Sequence, residues 1–556
     1  MRRAALACAL LLAACADAPP DAGDDAGAET APGATVYHNA TFLTLDGPAP
    51  EAMRVEQGRI AAMGALDDLA AGAVAVDLGG ATVIPGVVDS HVHVRELGMD
   101  AIKVDLVGVG SVEDIVARIR DQRPDIAPGE WIVGQGWDEG RFADYADTGG
   151  YPDPGLLSDA FPDNPVALES LHGFAAMANG RALEMAGITA DTPDPDGGTI
   201  LRRRDRQPTG VLLTLAQDLL FRHVPAPTPE QRERAIVAGL EQMAAAGVTS
   251  IHEAGMSADD VAAFQALRER GALPIRVVGM LNGNDAALMD EWFARGPLDD
   301  PDDRLDINAI KVFFDGSLGS RTALMSEPYS DAPDQKGTVR ITLDAIDKLA
   351  IRARDHDFQM AVHAIGDEAN DCIVASYELR LAEFPYDHRW RIEHAQVLSP
   401  TFMARAAELG VIASMQPSHA VGDSAWAEAR VGPERITRAY AWDSLVEADV
   451  PLVFNSDLPG EPWTPMQTLH FATTRTRLDG TPLGGWYPGE RLGREASLRA
   501  MTLSGAHAAF QDDDLGTLTP GKWADFVVLD RNPLAAADVR RIRVLGTYVA
   551  GERVSP

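Results

Sequence analysis

Apolar and polar residues alternate with a period of two near both ends of the 556-residue chain, and short continuous apolar runs replace that alternation in between. The segments TVYHNATFLTL (35–45) and MRVEQGRIAAMG (53–64) read as strands, with Asp46-Gly47 and Gln57-Gly58 as turns. ADFVVLD (524–530) and RIRVLGTYVAGERV (541–554) read the same way. Strands at opposite ends of one chain predict a small β-sandwich domain built from both termini, residues 35–84 with 515–556. Between them lie eight apolar runs: 82–93, 248–253, 275–280, 307–314, 359–364, 390–394, 411–416 and 451–456. Stretches with helical patterning, such as TPEQRERAIVAGLEQMAAAG and LDAIDKLAIRARD, separate most of them. Buried strands alternating with helices predict an α/β fold, a (β/α)8 TIM-like barrel over 85–514. The first gap is too long for one helix, so roughly 100–225 is expected as an insertion over the barrel mouth.

Composition adds constraints. Acidic residues number 83 against 48 basic, a formal charge of −35, which repels phosphate backbones and argues against nucleic acid as a partner. The three cysteines, Cys8, Cys15 and Cys372, supply neither a disulfide framework nor a cysteine zinc cluster. Residues 1–15, MRRAALACALLLAAC, carry a positive start and an apolar run too short to span a bilayer, so they read as an export signal. Leu12-Ala13-Ala14-Cys15 resembles the lipobox of bacterial lipoproteins, which implies lipidation of Cys15. Residues 16–34 then serve as a flexible tether. The expected location is the cell envelope, at the outer membrane facing the periplasm, with the lipid anchor as the only membrane contact. Dimerisation is left open.

Chemistry concentrates at the ends of the apolar runs. His91 and His93 close the first run as HVH, and alternate strand residues share a face, so both imidazoles point one way as a pair of metal ligands. Lys311, His363, His394 and Asp457 each fall near the end of another run. Barrel active sites lie at the carboxyl ends of the strands, so the six residues are expected to converge on one mouth. Lys311 sits among Ile310, Val312 and Phe313, where an unpaired ammonium is costly. Candidates for substrate contact are Trp137 and Trp463 as aromatic walls, Asp315 and Arg321 after the fourth run, and Gln416 and His419 after the seventh. For Arg321 the competing expectation is an ion pair with Asp315, and for Trp137 simple packing of the insertion. His172 and Asn179, in LHGFAAMAN of the insertion, are candidates to face the mouth.

The constellation resembles the amidohydrolase superfamily, and within it the YtcJ-like branch (amidohydrolase family 3), whose members include N-substituted formamide deformylase. The segments that carry the resemblance include IPGVVDSHVH, GQGWDEGRF, KVFFDGSLGSRTALM, VHAIGDEAND, RIEHAQ, MQPSH, FNSDLP and GTLTPGKWADFVVLD. It implies that His91 and His93 hold a first divalent metal and His363 and His394 a second. Lys311, carboxylated, would bridge the two, and Asp457 would touch the first and move protons. Zinc is the expected metal, with iron, manganese or nickel compatible with the same donors. One departure is Thr214 in GVLLTLA, where the branch often has an acidic residue.

The implied activity is metal-dependent hydrolysis of a non-peptide C–N bond, a linear amide such as an N-formyl or N-acyl amine. Metal-activated hydroxide attacks, Asp457 is general base and acid, and His172 supports the oxyanion. Opening of a cyclic amide, or deamination, is the alternative on the same site. A non-catalytic envelope binding lipoprotein is the non-enzyme alternative.

Overall fold

The computed structural model describes residues 33–138, 142, 151–170, 175–195, 198–381 and 386–555. In chain order the first strands are β1 (Thr35–Phe42), β2 (Ala52–Glu56), β3 (Arg59–Gly64), β4 (Val74–Pro85) and β5 (Val87–Val92). The insertion contributes β6 (Val104–Asp105), β7 (Ile132–Trp137), β8 (Val166–Ser170), β9 (Ala175–Ala178), β10 (Gly198–Arg202) and β11 (Pro208–Thr214). Then follow β12 (Val248–Met256), β13 (Arg276–Asn282), β14 (Leu305–Phe313), β15 (Gln359–Ala364), β16 (Arg391–His394), β17 (Ile412–Met415) and β18 (Leu452–Phe454). The last three are β19 (Phe526–Leu529), β20 (Val544–Val549) and β21 (Glu552–Ser555).

Eight strands, β5 and β12 to β18, form one all-parallel sheet in the order β18-β17-β16-β15-β14-β13-β12-β5. Main-chain bonds just beyond β18 close it into a barrel: Asp457 N–H donates to His91 O at 2.9 Å and His93 N–H to Leu458 O at 3.2 Å. The apolar run 82–93 is in fact two strands. Residues up to Pro85 belong to the terminal sheet and those from Val87 to the barrel. The change of sheet falls at Gly86, where a Cβ would lie 2.1 Å from Thr249 Oγ1. A continuous apolar pattern hides this because both halves are buried.

The helix Pro229–Ala245 shows how the sequence fixes the outer layer. Thr228 and Gln231 form a reciprocal capping box and Pro229 occupies the first turn, which satisfies the exposed N–H groups there. Ile236, Leu240 and Met243 bury its inner face. It lies so close to the helix Val94–Ile102 that a Cβ on Gly98 would sit 1.6 Å from Ala235 O, and one on Gly239 2.3 Å from Val94 O. Larger residues at either position would drive apart the helix that continues from His93.

The terminal segments make a seven-stranded sheet, order β21-β20-β19-β4-β1-β2-β3. Hydrogen bonding is continuous through all seven, and the sheet rolls over so that the β3 end returns to the segment before β19 (Arg59 bridges Trp523, and Ala524 N–H donates to Gly58 O at 2.8 Å). Phe526 and Tyr548 stack inside the roll with Tyr37 edge-on to both, while Val527, Leu529 and Val549 pack on the barrel. The insertion has its own six-stranded sheet, order β10-β11-β9-β8-β7-β6, and its own cores. Thr214 ends β11 opposite Gly198. No described helix is long and apolar enough to cross a membrane. Cys15 and residues 16–32 of the tether lie outside the described residues.

Candidate metal centre and active site

The six metal-site candidates come together at the carboxyl ends of the barrel strands. His91 ends β5 and is fully buried. Its Nδ1–H donates to Glu393 Oε2 at 2.6 Å, which leaves the lone pair on Nε2. That Nε2 lies 3.0 Å from Lys311 Nζ and 3.5 Å from Asp457 Oδ1. His93 Nε2 lies 3.3 Å from the same Asp457 oxygen. On the other side of Asp457, Oδ2 is 3.9 Å from His394 Nδ1 and 3.8 Å from His419 Nε2. Ligand atoms of His91, His394 and Asp457 lie within 4.8 Å of one another.

His363 and His394 face each other with ring centroids 4.6 Å apart. His394 Nδ1–H donates to Gln416 Oε1 at 2.9 Å, and the Gln416 amide is oriented by Asn455 Oδ1 at 2.7 Å, so the His394 lone pair is on Nε2. His363 Nε2–H donates to Gly316 O at 3.1 Å. Its Nδ1 is buried with no hydrogen-bond partner. An orphaned acceptor in the interior is costly unless something binds it. The donor set therefore fits divalent metal, with neutral imidazole lone pairs, a carboxylate and a lysine around one space. His91, His394 and Asp457 form one cluster of donor atoms, with His93 against Asp457, Lys311 against His91 and His363 against His394.

The electrostatics separate the histidines: against its own desolvation, the hydrogen bond to Asp457 raises His93, whereas the deeper rings are held down. Burial, then the Lys311 ammonium, pushes His91 down to about 4, so the ring is neutral at ordinary pH. His394 is likewise held well below the usual histidine range by burial and by His363. Burial lowers Lys311 to about 8, which raises its share of uncharged amine near neutral pH. Asp457 stays ionised against its own desolvation because His91, His93, His394 and His419 surround it. His394 and Asp457 both hold left-handed backbone, φ 77° and 52°. Non-glycine residues there are strained by ~1–3 kcal/mol each and cluster at functional sites.

Beneath the metal donors is a polar layer that sequence inspection missed. Glu393, fully buried, takes the His91 proton donor, accepts Ser414 Oγ–H at 2.6 Å and pairs with Arg391 Nε at 2.7 Å. Arg391 in turn reaches His252 Nδ1 at 2.8 Å and donates to Ser90 O at 2.6 Å. The available clue was RIEH itself: arginine and glutamate two apart in an apolar run share the barrel-interior face. Glu253, within β12, accepts Val94 N–H at 2.8 Å, and burial raises its carboxyl to about 7.

Several expected substrate contacts take other roles. Trp137 is fully buried in the insertion core, its Nε1–H donating to Leu168 O at 3.0 Å, so it packs the insertion and does not wall the site. Asp315 is fully buried and accepts the backbone N–H groups of Leu324, Ile365 and Gly366, which fixes the loop after β14. Its Oδ1 is 3.3 Å from His363 Nε2, so it orients that ring instead of meeting substrate. Arg321 pairs with Asp331, its Nη2 2.8 Å from Oδ2, neither with Asp315 nor with a ligand. Trp463 is half-buried against the barrel core. Asn179 caps the helix Gly180–Met185 and accepts Val166 N–H at 3.0 Å. Gln416 positions His394, and His419 reaches the metal-site carboxylate. His172 lies outside the described residues.

Comparison with known proteins agrees with this geometry. The model of the amidohydrolase family matches residues 74–555. Putative amidohydrolase YtcJ of Bacillus subtilis is 30% identical, covering 93% of this chain and 99% of that one. N-substituted formamide deformylase of Arthrobacter pascens is 27% identical, covering 92% and 96%. An uncharacterized metal-dependent hydrolase from Pyrococcus furiosus superposes with a TM-score of 0.74 at 29% identity, over 90% of this chain and all of that one. The parallel barrel, the convergent donors and these matches together place the chain in the amidohydrolase family, in its YtcJ-like branch, as a metal-dependent amidohydrolase.

Proposed function

We propose that the enzyme hydrolyses a linear, non-peptide amide, an N-formyl or N-acyl amine, to a carboxylate and an amine. The observation that carries the reading is the pairing of the orphaned His363 Nδ1 and the neutral His91 and His394 rings with one ionised carboxylate, Asp457. The likeness to N-substituted formamide deformylase over nearly the whole chain supports the bond class. His91, His93 and Asp457 would hold one divalent metal, His363 and His394 a second, with Lys311 as a carboxylated bridge. Bound there, divalent metal supplies Lewis acidity toward a carbonyl and acidifies water.

The protein's own groups do the rest. Asp457 accepts the proton of the attacking water and delivers it to the amide nitrogen as the C–N bond breaks. An amine anion leaves poorly, so that delivery is indispensable. His419, whose Nε2 lies 3.8 Å from Asp457 Oδ2, would donate to the carbonyl oxygen as charge develops there, in place of the His172 expected from the sequence.

The test is metal analysis of the purified protein with a panel of N-formyl and N-acyl amines, scoring carboxylate and ammonia release separately. Carboxylate plus amine supports the proposal. Ammonia release from amino-heterocycles indicates deamination. A protein that binds no metal and is inert after zinc or manganese addition would sink it. For the bridge, intact mass at high bicarbonate should show carbon dioxide on wild type and not on Lys311→Met, and an unmodified wild type counts against it.

A further inference from the structure

Two adjoining hollows, ≈ 760 and ≈ 400 Å³, lie against the helix Pro465–Thr474, the loop that follows it and the chain between β19 and β20. No metal donor lines either one, and Asp538 and Arg540 line both, so the two form one trough. Its lining carries five arginines, Arg491, Arg494, Arg540, Arg541 and Arg543, against one acid, Asp538. The segments that build it, 475–499 and 530–543, hold nine arginines against five acids, in a chain whose acids outnumber its bases 83 to 48.

The nearby carboxylates do not cancel this charge. Asp538 lies 2.9 Å from Arg540 and 3.5 Å from Arg541, and Asp530 lies 3.0 Å from Arg543 and 3.7 Å from Arg531, so each faces two guanidiniums. The other three acids, Asp479, Glu490 and Glu495, are turned to Thr481, Ser444 and Arg499. Arg491 and Arg494 donate to main-chain oxygens, Pro488 O and Pro533 O, and form no ion pair among the described residues. The side chains of Arg541 and Arg543 are 78% and 76% exposed. At physiological salt, charges more than about 8 Å away are screened, so this local excess governs what settles here rather than the net charge of the chain.

The rim of the trough is an ordered loop with an aliphatic tip. Arg477 N–H donates to Thr481 O at 2.7 Å, Gly485 N–H to Pro482 O at 3.0 Å and Trp486 N–H to Arg475 O at 2.8 Å. Arg540 donates to Leu478 O and ties the loop to the trough. Leu483 stands 95% exposed on this loop, and Leu478 is exposed beside the arginines.

We propose that this face docks on an anionic phospholipid surface, with the arginines against the phosphates and Leu483 among the acyl chains. Guanidinium forks match phosphate oxygens in pairs. An aliphatic tip gains nothing from free phosphate or from a nucleic-acid backbone, whereas a bilayer removes it from water. The contact is non-covalent and does not depend on acylation of Cys15. A lipid chain and a basic face reinforce each other where both are present. A flexible tether over residues 16–34 would span about 25 Å, enough to let the enzyme settle on this face.

The test is flotation of the chain from Ala16 onward, which keeps every described residue and carries no acyl group, with vesicles of phosphatidylglycerol and phosphatidylethanolamine or of phosphatidylcholine alone. Binding to the anionic vesicles is expected, and salt should weaken it. Combining Arg491→Gln, Arg541→Gln and Arg543→Gln should weaken it by about 100-fold, roughly fivefold for each arginine. Leu483→Ser should weaken it by about 10-fold or more. All four side chains are exposed, so melting temperature and metal content should match wild type. No binding by wild type, equal binding to neutral vesicles, or binding that survives in the folded variants overturns the inference. A dimer in sedimentation velocity that the arginine variant abolishes overturns it in favour of a second copy of the chain. Retention of inorganic phosphate or duplex DNA without vesicle binding overturns it in favour of a soluble anion.

Discussion

Replacing Glu393 by Gln should weaken metal binding while sparing turnover of the loaded enzyme. Glu393 is the group that keeps the His91 proton on Nδ1 and its lone pair on Nε2. The substituted amide retains one oxygen for two donors, His91 Nδ1–H and Ser414 Oγ–H, that now share Oε2. Either its NH2 faces His91, forcing the other tautomer and closing Nε2 to metal, or it faces Arg391 and repels it. A hydrogen bond to a charged partner is worth ~1.5–3 kcal/mol, and losing such a support of a ligating histidine costs roughly 10–100-fold in metal affinity. The two estimates agree. The assay is competition with a chromophoric chelator, alongside circular dichroism to verify the fold. Because the change strands a buried arginine, Arg391→Met with Glu393→Gln is the companion variant. The dissociation constant should rise within that range, and kcat at saturating metal should hold within a few-fold. A dissociation constant within twofold of wild type in a folded variant would refute the assignment.

Asp457→Asn should cut turnover by about 10²–10⁴-fold, the usual share of acid–base catalysis, with metal content largely retained. Near-normal turnover removes Asp457 from the proton path. Burial raises the Asp306 carboxyl to about 7. A raised folded pKa means the native state holds its proton longer than the unfolded chain. Stability contributed there is complete below about pH 4 and is lost as pH climbs to 7, by up to ~4 kcal/mol. Asp306→Asn should flatten that slope and raise the melting temperature at pH 7.5. Gln511, which donates to Asp306 Oδ2 at 2.7 Å and has an idle Oε1, can turn its amide to accept from the new NH2. Equal pH slopes in the two proteins would contradict this. Cys15→Ser should abolish incorporation of labelled palmitate in a bacterial host, and incorporation that persists would exclude Cys15 as the lipid site.

The barrel was legible because its strands are short apolar runs, several of them carrying a chemistry-bearing residue near the carboxyl end, as in IKVFF and MAVHA. Parallel strands buried on both faces leave that mark whatever surrounds them. The strand that changes sheets at Gly86 was illegible for the same reason, since unbroken burial gives no boundary. Donors on strands could be found from order alone, because strand ends converge by topology. Residues on loops could not: Arg321 meets Asp331 rather than Asp315 through the path of a loop that no periodicity encodes. Glu393 was passed over because one acid inside an apolar run looks like noise until His91, 302 positions earlier, is seen to face it.

The seam between β18 and β5 joins the beginning of the catalytic domain to nearly its end, with His91 and Asp457 hydrogen-bonded across it. A ribosome-bound nascent chain lacks the carboxylate that completes the cluster until more than four fifths of the polypeptide has been made. Partial products of translation, or N-terminal proteolytic fragments ending before that point, therefore lack the group assigned to proton transfer, and completion of the site becomes a late step of maturation rather than an early one.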